Sequence, residues 1–340
     1  MKELRIVVFA IIIILFFPTH GSADSNSLTL PEFGWSSGYY LESDNLSLTE
    51  ILKFRDGLRV DLNDKAANLY FLNRSYYSLN LMNNIQVGYF DYQEYYFSAE
   101  QGLVDFLSKI SQNNLAEGSY RLKGGIDFVN LQGYYIGKRF NISEMFLVDF
   151  RWKYINSGHL EKSKYDGRAR MSEQFIYQSG YRQVIISRDK ISQPKGISLD
   201  IAGKAIMNDN LSIRFSIENL YSYIVFKNLY FREMLDRTGK FYYDDVALRI
   251  TPIYQVDFDY RSLFFGVSYI NRYEPYLGYR FKLGEEKSIQ FGVELSLHRS
   301  KYGIKVFPEG NKENINMEFQ FDKLNFKKAK NLSLCFSIFF

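Results

Sequence analysis

The feature that most restricts this chain is a period of two. In Tyr254-Gln255-Val256-Asp257-Phe258-Asp259-Tyr260 every second residue is apolar and its neighbour is polar. Ile289, Phe291, Val293, Leu295 and Leu297 alternate with Gln290, Gly292, Glu294, Ser296 and His298. Ile315, Met317, Phe319 and Phe321 alternate with Asn316, Glu318, Gln320 and Asp322, and Leu211, Ile213, Phe215 and Ile217 with Ser212, Arg214, Ser216 and Glu218. Successive side chains of a strand point to opposite faces, so each segment has one apolar and one polar face. Short turn-like segments separate them: Asn208-Asp209-Asn210, Gly284-Glu285-Glu286 and Pro308-Glu309-Gly310-Asn311. Further strands are expected near 68–82, 84–97, 118–140, 144–156, 173–187, 196–207, 246–260, 262–271, 276–283 and 301–307.

Two segments carry helical spacing instead. Leu103, Phe106, Leu107 and Ile110 share one helical face after a cap at Ser98, and Ser47-Leu48-Thr49-Glu50 fits a capping box. One or two short helices beside or inside a β structure are expected. Residues 24–60 read as an irregular, short-helix segment that could act as a plug, and 61–340 as a single all-β domain.

The N-terminus has the layout of an export signal. Lys2 and Arg5 precede an apolar run from Ile6 to Phe17, Pro18 ends it, and Gly21-Ser22-Ala23 supplies small residues for cleavage. Residues 1–23 are therefore expected to be a signal peptide.

Alternating strands also build soluble sandwiches, and three observations favour a membrane barrel. The apolar face is crowded with Phe, Tyr, Leu and Ile on strand after strand, in a chain that is 18% aromatic. In an outer-membrane barrel such a face meets lipid, and the polar face lines the lumen. Tyr254, Tyr260, Tyr269, Tyr273 and Tyr276 lie at strand ends, where they would suit the aromatic girdles at the membrane interfaces. Finally, Leu332, Leu334, Phe336, Ile338 and Phe340 fall on one face of the last segment. This resembles the C-terminal strand signal of Gram-negative outer-membrane barrels, which implies outer-membrane localisation and recognition by the barrel-insertion machinery through Leu334, Phe336, Ile338 and Phe340. Lipid offers no hydrogen-bond partner, so the sheet must close. Chain length predicts a transmembrane antiparallel β-barrel of about 14 strands, with 12 to 16 acceptable, and an even number expected.

A second resemblance concerns family. Gly196-Ile197-Ser198-Leu199-Asp200-Ile201-Ala202 leads into Leu211-Ser212-Ile213-Arg214-Phe215-Ser216-Ile217-Glu218-Asn219-Leu220. The passage resembles one found in FadL-like barrels, including the TraF-like and PorV-like groups. FadL-type members have an N-terminal plug and pass hydrophobic substrates, whereas PorV-like members serve secretion.

Parity assigns lumen-lining positions to Asp200, Lys204, Arg214, Glu218, Asp257, Asp259, Arg280, Lys282, Gln290 and Glu294. Candidate chemistry is sparse. His298 and Ser300 have a His-x-Ser spacing that places both on one strand face, so the imidazole could take the hydroxyl proton, with Glu309 or Glu313 to orient it. His159 is expected in a loop, and Asp244-Asp245 falls short of a calcium-loop pattern. A single cysteine, Cys335, excludes a Cys-based zinc site, and its parity is lumen-facing. No metal, cofactor or catalytic residue is assigned. The net charge of +4 is too small and too evenly spread for a nucleic-acid binder. Lys327-Lys328-Ala329-Lys330 lies in an expected external loop that could touch lipopolysaccharide phosphates. The functions left are a channel or transporter for small or hydrophobic solutes, a non-conducting assembly barrel accessory to secretion or conjugation, and, remotely, a lipid-modifying barrel enzyme.

The protein should fractionate with the outer membrane and migrate differently on gels before and after boiling, and removal of Phe340 should block insertion. Recovery of the intact chain as a soluble periplasmic species would contradict this.

Overall fold

A computed structural model describes residues 32–44, 47, 66–81, 84–111, 117–171, 176–187, 192–208, 210–236, 238–283, 289–296, 301–308, 315–323, 325 and 328–339. The strands are β1 (Glu32–Ser43), β2 (Ala67–Leu81), β3 (Ile85–Ala99), β4 (Gly118–Ser143), β5 (Phe146–Met171), β6 (Ile176–Ile186), β7 (Pro194–Asn208) and β8 (Leu211–Leu235). They continue as β9 (Thr238–Leu248), β10 (Ile253–Tyr260), β11 (Leu263–Tyr269), β12 (Tyr273–Leu283), β13 (Ile289–Ser296), β14 (Lys301–Pro308), β15 (Ile315–Phe321) and β16 (Asn331–Phe339). Among the described residues one helix, α1 (Gln101–Ser111), lies between β3 and β4.

The sheet closes on itself as a 14-stranded antiparallel barrel. β1 pairs with β16 on one side and β2 on the other, and β8 pairs with β10. Two places on the ring are filled by broken strands. β7 and then β6 run between β5 and β8, while β10 and then β9 run along the other side of β8. Side chains mend the ladder where it breaks. Ser187 Oγ accepts from Leu160 N at 2.9 Å, Asn228 N donates to Asp245 Oδ1 at 3.0 Å, and Ile250 N donates to Ser222 Oγ at 2.8 Å. Asn228 adopts φ +52°, a left-handed conformation that asparagine tolerates.

β4 and β5 are 26 residues long, against 8 for β13 and β14. Crossing the membrane takes ~9–11 residues, so one side of the barrel stands far above the other as a tall wall. It rises at the end carrying the longer connections, which in this architecture is the outer end.

The register explains the pleat. Trp35, Tyr77, Tyr89, Tyr134 and Tyr154 are successive direct partners across β1–β5, and Tyr77, Tyr89 and Tyr134 form an outward row of ring contacts. Val256, Phe265, Leu277, Val293, Ile304, Met317 and Leu334 continue an exposed apolar belt around the short side. The ring of Phe336 lies 5.3 Å from that of Trp35 at the β16–β1 seam. Among the described residues no helix is long and apolar enough to cross a membrane; the strands form the spanning unit.

Several expectations need correction. Residues 32–43, read as irregular, form β1, the strand that closes the barrel on β16. Ser98 does not cap α1: it sits inside β3 opposite Gly125, and the first helical bonds are accepted by Glu100 O. α1 packs by Val104 and Phe106 against Ala67, Ala99, Leu122, Ala169 and Met171, beside the wall rather than inside it. His159 belongs to β5, with Nδ1 2.8 Å from Ser187 Oγ. The expected 246–260 strand is interrupted at 249–252, and β9 with the upper half of β8 adds strand to 221–245. Asp244 and Asp245 thus lie in β9, where their carboxylates accept backbone N–H groups. Tyr276 faces inward because it is one pleat step from exposed Leu277. Leu48–Glu50 of the capping box, Phe340, and the side chain of Ile338 lie outside the described residues.

Gly278 faces inward directly beneath the Phe264 ring, so a Cβ there would drive into that ring. Gly278→Val should destabilise the barrel by about 1–3 kcal/mol through overpacking, read as a lower midpoint for heat-induced loss of the fast-migrating gel species. An unchanged midpoint would show that this contact is not tight.

Candidate functional site: a bridged lumen

Inward positions follow from the same register. Tyr40, Leu72, Glu94, Val129 and Leu160 are direct partners across β1–β5, and Tyr40, Leu72, Val129 and Leu160 are buried on one face. This interior is occupied by side chains at successive levels.

In the middle, Arg74 Nη1 on β2 meets Glu218 Oε1 on β8 at 2.5 Å. These strands are not neighbours: β3, β4, β5 and the broken β6/β7 strand lie between them. The pair therefore bridges the lumen. Tyr76 OH donates to Glu218 Oε2 at 3.2 Å, and Lys153 Nζ donates to Tyr76 OH at 2.9 Å. Lys153 is also ion-paired to Asp200 at 2.8 Å, with Arg151 3.7 Å from the same oxygen. The Arg151 guanidinium lies over Tyr76 and Tyr135, at 4.6 and 5.0 Å from the ring centroids. Two cations thus converge on Asp200, and the lone carboxylate Glu218 takes Arg74 and a phenol.

The passage that carries the sequence resemblance builds part of this level. Asn219 adopts φ +55°, which lets β8 bulge; its N–H donates to Asp200 Oδ1 at 2.9 Å and its side-chain oxygen accepts from Ser198 Oγ at 3.0 Å. The aspartate and asparagine of that passage hold each other across β7 and β8 and aim Asp200 at Lys153.

Toward the short-turn end, Asp259 pairs with Arg214 at 2.9 Å and with Arg280, while Gln255 Nε2 donates to Asp257 at 3.0 Å. At the outer mouth, Arg272 pairs with Glu42 and Asp44 at 3.2 and 3.1 Å. Tyr40 OH donates to Glu42 Oε2 at 2.6 Å and reaches Glu274 on β12 at 3.4 Å, a second contact between strands separated by others. A cavity of about 270 Å³ opens here beside Glu42, Asp44, Tyr70, Tyr96 and Arg272. Another, of about 160 Å³, lies beside Arg74, Glu218, Gly38 and Cys335.

At the base of the tall wall, up to Leu160 and Val129, the inward face is apolar. Leu131, Ile155, Leu160, Ile224, Phe226 and Leu229 have essentially no exposed surface and pack with Phe90, Tyr92 and Phe231. A polar lumen is the norm for this architecture, so this packed apolar core is a distinguishing feature.

Of the sequence-assigned lumen residues, Asp200, Arg214, Glu218, Asp259 and Arg280 come together in these bridges, and Asp257 lies beside them. Lys204 is partly buried opposite Arg214. For Lys282, Gln290 and Glu294 only the backbone pairing is described, Lys282 opposite Gln290 and Glu294 opposite Gly278. Cys335 has the expected parity, its sulfur 3.5 Å from where a Cβ on Gly38 would sit. His298, Ser300, Glu309, Glu313 and Lys327 lie outside the described residues; Lys330 Nζ donates to Asp44 O at 2.9 Å. Sequence reasoning missed Arg74, Arg151, Lys153, Glu42 and Arg272. Arg151 and Lys153 were readable, because they alternate with Phe150, Trp152 and Tyr154.

The closed sheet, apolar outer belt and charged interior define a transmembrane β-barrel of the bacterial outer-membrane type. No family model matches the chain, and no curated protein matches it. Solved structures similar to it include the TodX deltaS2S3 mutant monoaromatic hydrocarbon channel, at 8% identity and TM-score 0.46, covering 91% of this chain and 89% of that one. The translocator domain of the autotransporter NalP from Neisseria meningitidis aligns at 8% identity and TM-score 0.39, covering 100% and 97%. The Ralstonia pickettii toluene transporter TbuX aligns at 10% identity and TM-score 0.35, covering 91% and 88%. At this distance no residue role passes from them to this chain.

Because Cys335 is the single cysteine, it reports on the lumen without engineering. A membrane-impermeant maleimide should label it slowly in the wild type and about tenfold faster in Glu218→Ala, which removes the bridge. Equal rates would show that the Arg74–Glu218 contact does not close the interior.

Proposed function

We propose that the protein is an outer-membrane channel for small hydrophobic solutes, held here in its closed form. The observation that carries this reading is the packed apolar core formed by Ile155, Leu160, Ile224, Phe226 and Leu229 on the inner face of the tall wall. Apolar surface kept out of water is stabilising at roughly 25 cal/mol per Å², and an apolar solute that slipped between these side chains would gain the same way. The apolar side chains, and the Arg74–Glu218 bridge beneath them, would have to part for passage. The members of the bridge are long side chains that can swing aside and re-pair, unlike a strand. The bridges also fill the lumen, which favours the non-conducting assembly barrel as the second reading.

Entry of a small apolar fluorophore across the outer membrane of a Gram-negative host should rise several-fold on expression of the protein and return to background in Ile224→Arg. In planar bilayers, ion conductance should be low for the wild type and raised in Glu218→Ala. Absence of both fluorophore entry and conductance would support the non-conducting reading instead.

A further inference from the structure

The wall above the apolar core carries a cluster of cations that neither the fold nor the closed lumen uses. From Leu160 upward, β5 pairs with β4 without a register shift, so residues on the face of Leu160 and Val129 stay on that face. They include Lys162, Lys164, Arg168 and Arg170 on β5 and Arg121 and Lys123 on β4. The opposite face is covered by α1, which packs on Leu122, Ala169 and Met171.

Two of these cations are neutralised. Lys123 Nζ is 2.6 Å from Glu100, and Lys162 is 3.8 Å from Asp127. The hydrogen bond from Lys123 holds the Glu100 carboxyl below its usual range, and the field of Arg121 adds to this. Arg121, Lys164, Arg168 and Arg170 are exposed, and no ion pair joins them to a described carboxylate. Asp166, opposite Lys123, is the acidic residue interleaved with them, and Glu233 on β8 is held by Tyr181, Gln183 and Tyr242. Arg121 and Arg168 are direct cross-strand partners. Like charges so placed oppose pairing, and a chain of net charge only +4 does not force them together by composition.

We propose that this strip binds a linear acidic polysaccharide outside the cell. The cations from Lys164 to Arg170 span roughly 20 Å along the strand, and Arg121 widens the strip at its centre. That geometry matches an extended chain with a negative charge on each or every other unit. Arginine forks engage carboxylate and sulfate in two bonds at once. The strip lies on the lumen-side face of the wall, away from the lipid that surrounds the barrel, so the partner arrives from the medium. Ser119, Gly125 and Asp166 interleave with the cations, so no ring lies between them on which a base could stack, and Tyr181, opposite Asp166 on β6, is engaged with Glu233. This inference is independent of the channel reading.

The test uses the full-length protein, purified folded in detergent. Its binding to fluorescent polygalacturonate is measured by anisotropy across rising salt, with neutral dextran and a single-stranded oligonucleotide as comparators. The expected result is binding that weakens as salt rises, as opposed charges are screened, with no binding to dextran and weaker binding to the oligonucleotide. Arg121→Glu with Arg168→Glu should weaken it by about tenfold or more, while Lys240→Glu on exposed β9 should leave it unchanged. Heat-modified migration of each variant verifies its fold. Should a double variant misfold, Arg121→Gln with Arg168→Gln serves in its place. Undiminished binding in the folded double variant, equal loss in Lys240→Glu, no binding at low salt, or tighter binding to the oligonucleotide would each overturn the proposal.

Discussion

Inside this barrel the governing constraint is that a charge removed from water must meet an opposite charge or a hydrogen bond. Arg74 and Glu218 satisfy it together across the lumen, and Lys153 with Asp200 satisfies it along the wall beside them. Tyr76 ties the two pairs, donating to Glu218 and accepting from Lys153. The stability gained from such pairs is modest when set against an apolar replacement. Leaving one partner alone costs about 3–5 kcal/mol, because an uncompensated charge stays buried. This asymmetry is what makes the bridged partners depend on one another once closure of the sheet has set β2 and β8 across the interior.

The lipid side answers the complementary constraint. Backbone groups must all pair, so β1 joins β16 and the ring has no edge within the membrane. The aromatic rings then coat the outside: Tyr77, Tyr89 and Tyr134 in one row, Tyr254, Tyr269 and Tyr273 in another. Above the membrane this division relaxes. The tall wall buries an apolar face over the mouth, covers part of its back with α1, and exposes both faces of β9.

What the sequence made legible follows from where these constraints act. On the short strands β10–β16 lipid lies on one side and the charged lumen on the other, so alternation is strict and the strands are readable. Asp200, Arg214, Glu218, Asp259 and Arg280 could be assigned inward for the same reason. β1 could not be found this way. It turns Ser37 outward, where its hydroxyl pairs with that of Ser75 at 2.9 Å, and turns Tyr40 inward to meet Glu42. Both faces are mixed, and the pattern vanishes. The upper half of β8 buries Ile224, Phe226 and Leu229 inward, but Tyr221, Tyr223, Val225 and Tyr230 on its other face are apolar too, and β9 is largely exposed, so no alternation marks either. Arg74 was hidden because its neighbours on the inward face are Leu72 and Tyr76, members of an apolar cluster rather than of a polar row. Ion partners on distant strands leave no mark in spacing; only closure brings them together.

The central claim is that Arg74 and Glu218 meet across the interior and hold it shut. A double-mutant cycle on unfolding in detergent tests it most directly, comparing wild type, Arg74→Ala, Glu218→Ala and the double variant. The account predicts that each single substitution destabilises by about 3 kcal/mol or more, and that the double variant loses far less than their sum, with a coupling of about 1.5 kcal/mol or greater. Additive losses would mean that the two side chains do not interact, and the closed lumen described here would be contradicted.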